Sequence, residues 1–244
     1  MSPDLSLIIF VPAVLSLAIF VRSLFGFGDA LIAMPLLAMV VGLQTATPLV
    51  ALVANTIALA ILLQSWRSVQ IKSAWRLILS SLVGIPLGMV FLKGVHEETM
   101  RFILGVLIAV FGLYNLFKPR LLALKDEKLA YIFGVLAGVV GGAYNTNGPI
   151  VVVYGTMRQW SPESFRATLQ GYFFPTGLLI LLGHGLSGLW TRPVLQLYAL
   201  SLPATLAAAW LGGRLNRSVP AGKFDRYIHL FLLAIGAFLL IQSL

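Results

Sequence analysis

The 244-residue chain is 59% hydrophobic and 10% charged, with a net charge of +9 and a mean hydropathy of +0.95. A soluble domain averages about 25% charged residues, so most of this surface must face lipid, and a soluble enzyme or a nucleic-acid-binding domain is excluded. With no cysteine, disulfides, thiolate metal sites and cysteine nucleophiles are excluded as well.

Apolar segments run over 5–21, 30–43, 46–63, 74–92 and 102–117, and then over 129–142, 149–157, 167–182, 194–211 and 227–240. The first lacks a basic flank and a small-residue cleavage site, so it reads as a membrane segment and not as a removable leader. A helix needs about 20 residues to cross a bilayer. Segment 149–157 is too short to cross and 30–43 is marginal; the others are adequate with their flanks. The expected class is an all-α polytopic membrane protein.

Two polar, turn-prone breaks interrupt the apolar pattern. Gly26-Phe27-Gly28-Asp29 precedes the second segment, and Asn145-Thr146-Asn147-Gly148-Pro149 precedes the seventh, 119 positions after the first break. The same offset pairs the third segment with the eighth. Two repeats follow, 1–120 and 121–244, forming one integral membrane domain.

Loop charges give the repeats opposite orientations. In the first half Arg67, Lys72 and Arg76 lie between the third and fourth segments. In the second half the basic cluster Arg214, Arg217, Lys223 and Arg226 lies one connection later. Short cytoplasmic loops collect Lys and Arg, so equivalent loops face opposite sides and the topology is inverted. Lys118, Arg120, Lys125 and Lys128 then share the cytoplasmic side with Arg158 and Arg166. The chain between them enters the membrane and returns, with 145–149 at the tip. By symmetry 26–29 is the tip of a hairpin entering from outside, although the first segment is long enough to cross. Broken helices at membrane depth persist only where protein or a cavity satisfies their backbone. Transporters use such breaks to meet a substrate near the midplane.

The candidate residues cluster at these breaks. Arg22, one turn before the first tip, is an intramembrane charge that either holds an anion by paired hydrogen bonds, snorkels, or pairs with Asp29. Asp29 is a proton-coupling carboxylate, a sodium ligand, or a helix cap, and capping is the simplest of the three. Phe27 and Gly28 at the first tip, and Asn145, Thr146, Asn147 and Gly148 at the second, are candidate substrate contacts; turn chemistry also explains the asparagines. Asn55 and Gln170, amides inside the third and eighth segments, line the same cavity or tie helices together. The helix starts at 30–32 and after Pro149 offer N–H groups to an anion. His184 falls in an outer loop, in solvent.

Enzyme readings fail on the residues. Gly-Phe-Gly-Asp fits an intramembrane aspartyl protease, but the other aspartates, Asp4, Asp126 and Asp225, lie at termini or loops. There is no Gly-x-Ser-x-Gly elbow, no nucleotide-binding motif and no metal-ligand spacing among His96, His184 and His229. Neither a cofactor nor a resident metal is expected.

The strings GFGDALIAMPLL and GLQTATPLVAL, with Trp75-Arg76-Leu77 before the next span and a degenerate second copy, resemble the TauE/SafE family. This is also known as the sulfite exporter or toluene-sulfonate uptake permease family. The resemblance covers the whole chain; the second break departs from the usual glycine-rich pattern. It implies a secondary transporter in the cell (inner) membrane that moves a small anion, such as sulfite, an organosulfonate or a carboxylated relative, by alternating access. Proton or sodium coupling and a homodimer packed through glycine-rich helices are compatible with it. The alternative is an anion-selective, channel-like permease.

Overall fold

The computed structural model describes residues 5–65, 71–117, 123–124, 126–216 and 237. The tenth predicted segment and the loop charges at Arg67, Lys118, Arg120, Lys125, Arg217, Lys223 and Arg226 lie outside them, as do Asp4, Asp225 and His229. The side chains of Lys72 and Arg166 are likewise not described.

The described chain is helical: α1 (Leu5–Phe25), α2 (Asp29–Val41), α3 (Leu43–Ser65), α4 (Ile71–Gly94), α5 (Glu97–Phe117), α6 (Leu129–Tyr144), α7 (Gly148–Met157), α8 (Pro162–Leu186) and α9 (Arg192–Asn216). Among the described residues, five stretches are long and apolar enough to cross a membrane: Ser6–Phe25, Leu43–Leu63, Ala74–Gly94, Glu97–Phe117 and Arg192–Leu215. At 1.5 Å per residue the 13 residues of α2 and the 10 of α7 fall well short. α1 runs to Phe25, four residues beyond its predicted segment, so it has the length to cross while α2 does not.

Backbone geometry explains the breaks. Gly26 and Gly28 sit at φ 90° and 105°, a left-handed region that costs a side-chain-bearing residue steric energy. A further break at Gly42 (φ 77°) divides α2 from α3, so the third helix begins at Leu43 and not at 46. At the second break Asn145 takes the left-handed cap (φ 53°), with its N–H bonded to the Gly141 carbonyl at 2.7 Å. Asparagine is the residue that tolerates that cap without a glycine. Pro149 then opens α7, where a missing N–H costs nothing.

The helix packing is reciprocal. α1 lies along α9 and α6 lies along α4, in the two most extensive helix contacts, while α3 crosses α8. Glycines set the α4–α6 distance. Gly84 and Gly88 of α4 interleave with Gly134, Gly138 and Gly142 of α6, so that a Cβ on Gly138 would stand 2.7 Å from the Ser81 carbonyl. Small residues at four-residue spacing let membrane helices approach backbone to backbone; here the contact is made within one chain. The opposite face of α4 carries Leu79, Leu82, Val83 and Val90, all exposed as a lipid-facing surface is. α3 is the most enclosed of the five spanning candidates and α9 the least, at 67% and 28% buried. The core therefore sits around α3, between the two chain breaks.

Candidate functional site

The breaks meet. A Cβ on Gly148, the first residue of α7, would lie 3.9 Å from the Phe27 Cβ, so the two tips are in contact across the interior. Between them is a cavity of about 30 Å³, on a scale where one water needs about 10–15 Å³.

The first break supplies Arg22, Phe27, Gly28 and Asp29 to the lining, and the second supplies Asn145, Thr146, Asn147 and Gly148. Asn55 faces in from α3. Every predicted contact except Gln170 therefore lines one space. Gln170 stands behind it: its Oε1 accepts from Arg22 Nη2 at 2.9 Å, and its Nε2 donates to the Gly26 carbonyl at 2.7 Å. It ties the arginine and the first tip to α8 and is a positioning residue. We expect Gln170→Leu to leave a charged donor and a carbonyl unmet and to cost about 1.5–3 kcal/mol, read as a fall in the thermal unfolding midpoint of detergent-purified protein.

Arg22 is 2% exposed, and its Nη1 donates to Asp29 Oδ2 at 2.6 Å. Its plane stands over the Phe173 ring, 5.3 Å from the centroid. Two of the three guanidinium nitrogens are thus held and the third, Nε, is buried without a partner among the described residues. Asp29 does not cap α2, contrary to the capping expectation. Gly28 occupies the cap position in a left-handed conformation that gives α2 no side-chain cap, and the Asp29 carboxylate, at the first helical position, turns to the arginine. Attraction to a buried guanidinium outweighs a single backbone N–H.

The second tip is less charged. The Thr146 hydroxyl donates to the Tyr144 carbonyl at 2.9 Å, which fixes the turn. The Tyr172 hydroxyl lies 2.8 Å from Ser81 Oγ and faces the Asn147 side chain. Asn55 Oδ1 is buried and has no hydrogen-bond partner among the described residues. Ala30 and Leu31, in the first turn of α2, and Pro149, in that of α7, also line the cavity. First-turn N–H groups have no intrahelical acceptor and carry partial positive charge, so two helix starts converge on the space.

Sequence reasoning missed Phe173 and Gly177 on α8, which close the cavity opposite Asn55. The signal was present: both follow Gln170 at spacings of three and seven, on the same helical face. A Cβ on Gly177 would collide with Asn55 Oδ1 and lie 3.1 Å from its Cγ. His184 also departs from expectation. It belongs to the last turn of α8 and is fully buried, not in a solvated loop.

A profile of the family described as sulfite exporter TauE/SafE matches residues 11–239 of this chain. No curated protein and no solved structure matches it.

Proposed function

Since the chain belongs to the sulfite exporter TauE/SafE family, a family of membrane transporters, we propose that it carries a small anion, sulfite or a related sulfur-containing or carboxylated anion, through the cavity between its two chain breaks. The observation that carries this reading is the buried guanidinium of Arg22, held at two nitrogens and free at the third, beside two helix starts. A cation held in this way is a preorganised donor for an oxyanion. The small volume favours a compact oxyanion; an aromatic sulfonate requires the tips to separate first.

Asp29 is the coupling element of this scheme. It shares Arg22 with the substrate, so an incoming anion competes with its carboxylate for Nη1. A proton or sodium ion on Asp29 relieves that repulsion, so the anion and the cation are taken up together. Asn145 and Asn147 orient the anion from the opposite tip, with Asn55, Thr146 and Gly148 around it.

Alternating access then follows from two repeats of inverted topology in the cell membrane. Three observations support it. The starts of α2 and α7, at 29 and 148, and those of α3 and α8, at 43 and 162, share the 119-residue offset. The pairing of α1 with α9 and of α6 with α4 exchanges one repeat with the other. The site also draws one break from each half, so rocking the halves opens it to either side in turn.

The test is a thermal-shift screen of purified protein against sulfite, sulfate, small organosulfonates and short dicarboxylates. One anion class is expected to raise the unfolding midpoint selectively, by about 2.7 kcal/mol of stabilisation at a hundredfold excess over Kd. Equal responses to every salt would remove the reading.

A further inference from the structure

His184 lies on the face of α8 that carries Gln170, Phe173 and Gly177, seven residues beyond the last of these. Gln170 holds Arg22, and Phe173 and Gly177 line the cavity. One helical face thus leads from the guanidinium, past the cavity, to an imidazole. That imidazole is fully buried and, among the described residues, neither ring nitrogen has a hydrogen-bond partner. The Gly142 carbonyl, three residues before the second tip, faces the ring without completing a bond. For packing alone, a leucine or phenylalanine would serve without the unmet N–H.

The charges around it offer no partner either. α3, α4, α6 and α7, the helices packed on α8, carry no carboxylate, and Glu163 of α8 itself is in its first turn at the far end. Lys72 and Arg76 open α4 at that same far end. Lys93, which closes α4, donates to the Ser187 carbonyl just past α8 and adds positive charge near the ring. Arg166, three residues after Glu163, also belongs to the far end of α8, and Tyr131 and Tyr144 of α6, Tyr154 of α7 and Tyr172 of α8 complete the titratable set of these helices; the Tyr144 hydroxyl is engaged with the Met100 carbonyl at 2.9 Å. Among the described residues, an imidazolium closed in between α6 and α8 would meet no counter-charge.

We propose that His184 is a proton-binding switch: the ring takes a proton where α6 and α8 part and water reaches it, and releases that proton before the helices close. Acidification on the side to which this gap opens therefore shifts the population toward the open state, within the pH range where an accessible imidazole titrates. This rests on the chain being a transporter that changes conformation, but not on which anion it carries.

The natural chain has no cysteine, so an introduced thiol is the sole target of a methanethiosulfonate reagent. Ile180, one turn before His184, packs against Gly141 of α6 and is fully buried. The labelling rate of Ile180→Cys, divided by that of the 76% exposed Phe117→Cys to cancel thiol ionisation, reports the gap. In chloride buffer without any candidate substrate, the ratio is expected to rise about threefold or more from pH 8 to pH 5.5. It should stay flat when His184→Gln or His184→Phe is added, and still rise with Asp29→Asn. A flat ratio in the parent, a rise that survives His184→Gln, or one lost with Asp29→Asn overturns the proposal. Ala51→Cys, in the same buried cluster as Ile180, carries the readout if Ile180→Cys fails to fold. No candidate substrate takes part, so failure here is distinct from failure of the anion screen.

Discussion

Arg22→Gln is expected to abolish anion-induced stabilisation while leaving a folded protein, and Arg22→Ala to destabilise the protein by about 3–5 kcal/mol. The two differ in what they leave behind. Asp29 has its carboxylate buried against Nη1 at 2.6 Å, and alanine strands that charge with no compensation. Glutamine keeps a donor within reach of it and loses only the positive charge and the fork geometry. Adding Asp29→Asn to Arg22→Gln removes both charges and restores most of the lost stability, since a buried pair is near neutral against an uncharged replacement. It does not restore anion binding. Unfolding midpoints of the four proteins, each with and without saturating sulfite, separate the two effects. A retained anion response in Arg22→Gln would make the pair purely structural.

The second large effect lies away from the site. In Gly88→Ala the new Cβ would collide with the Val139 carbonyl and stand 2.7 Å from the Ala143 amide nitrogen. Both are helix backbone, which cannot swing aside as a side chain can, so α4 and α6 must separate. Overpacking of this kind costs about 1–3 kcal/mol, occasionally more, against a gain of at most about 1 kcal/mol in helix propensity. A lower unfolding midpoint is expected, and Gly88→Leu should not yield folded protein. Gly213→Ala, with open space around its Cβ, is the control and should be neutral or slightly stabilising. The effect reaches function because α6 ends in the Asn145 cap. An α6 displaced from α4 carries the second tip away from the cavity, and the anion response should weaken with it. Equal midpoints for Gly88→Ala and Gly213→Ala would contradict the backbone contact.

The helices and the two breaks were legible because they rest on local chemistry: apolar length, glycine at positive φ, asparagine at a left-handed cap, proline at a helix start. The convergence of the breaks was expected as well, since polar breaks at membrane depth in two related halves need a shared interior to satisfy their backbone. What the sequence hid depends on distances between helices. Asp29 fits a cap by local rules, and only the position of Arg22 seven residues upstream, clamped by Gln170 from α8, shows why its carboxylate turns away. His184 follows two glycine-punctuated turns and looks like a loop residue until α8 is seen to continue to Leu186. Phe173 and Gly177 needed the face of α8 to be known, and the glycines of α4 and α6 needed their partner helix. In each case the missing information was which surfaces meet.

If the space between the tips binds an anion and passes it across the membrane as a carrier, the protein supports counterflow in proteoliposomes. Vesicles loaded with unlabelled sulfite are diluted into a trace of radiolabelled sulfite. The account predicts transient accumulation of label above equilibrium, saturable in sulfite, absent with Arg22→Gln and reduced with Asp29→Asn. Label that only equilibrates would describe a pore. Uptake no greater than in protein-free vesicles, for sulfite and for every anion that passes the thermal screen, would contradict the claim outright.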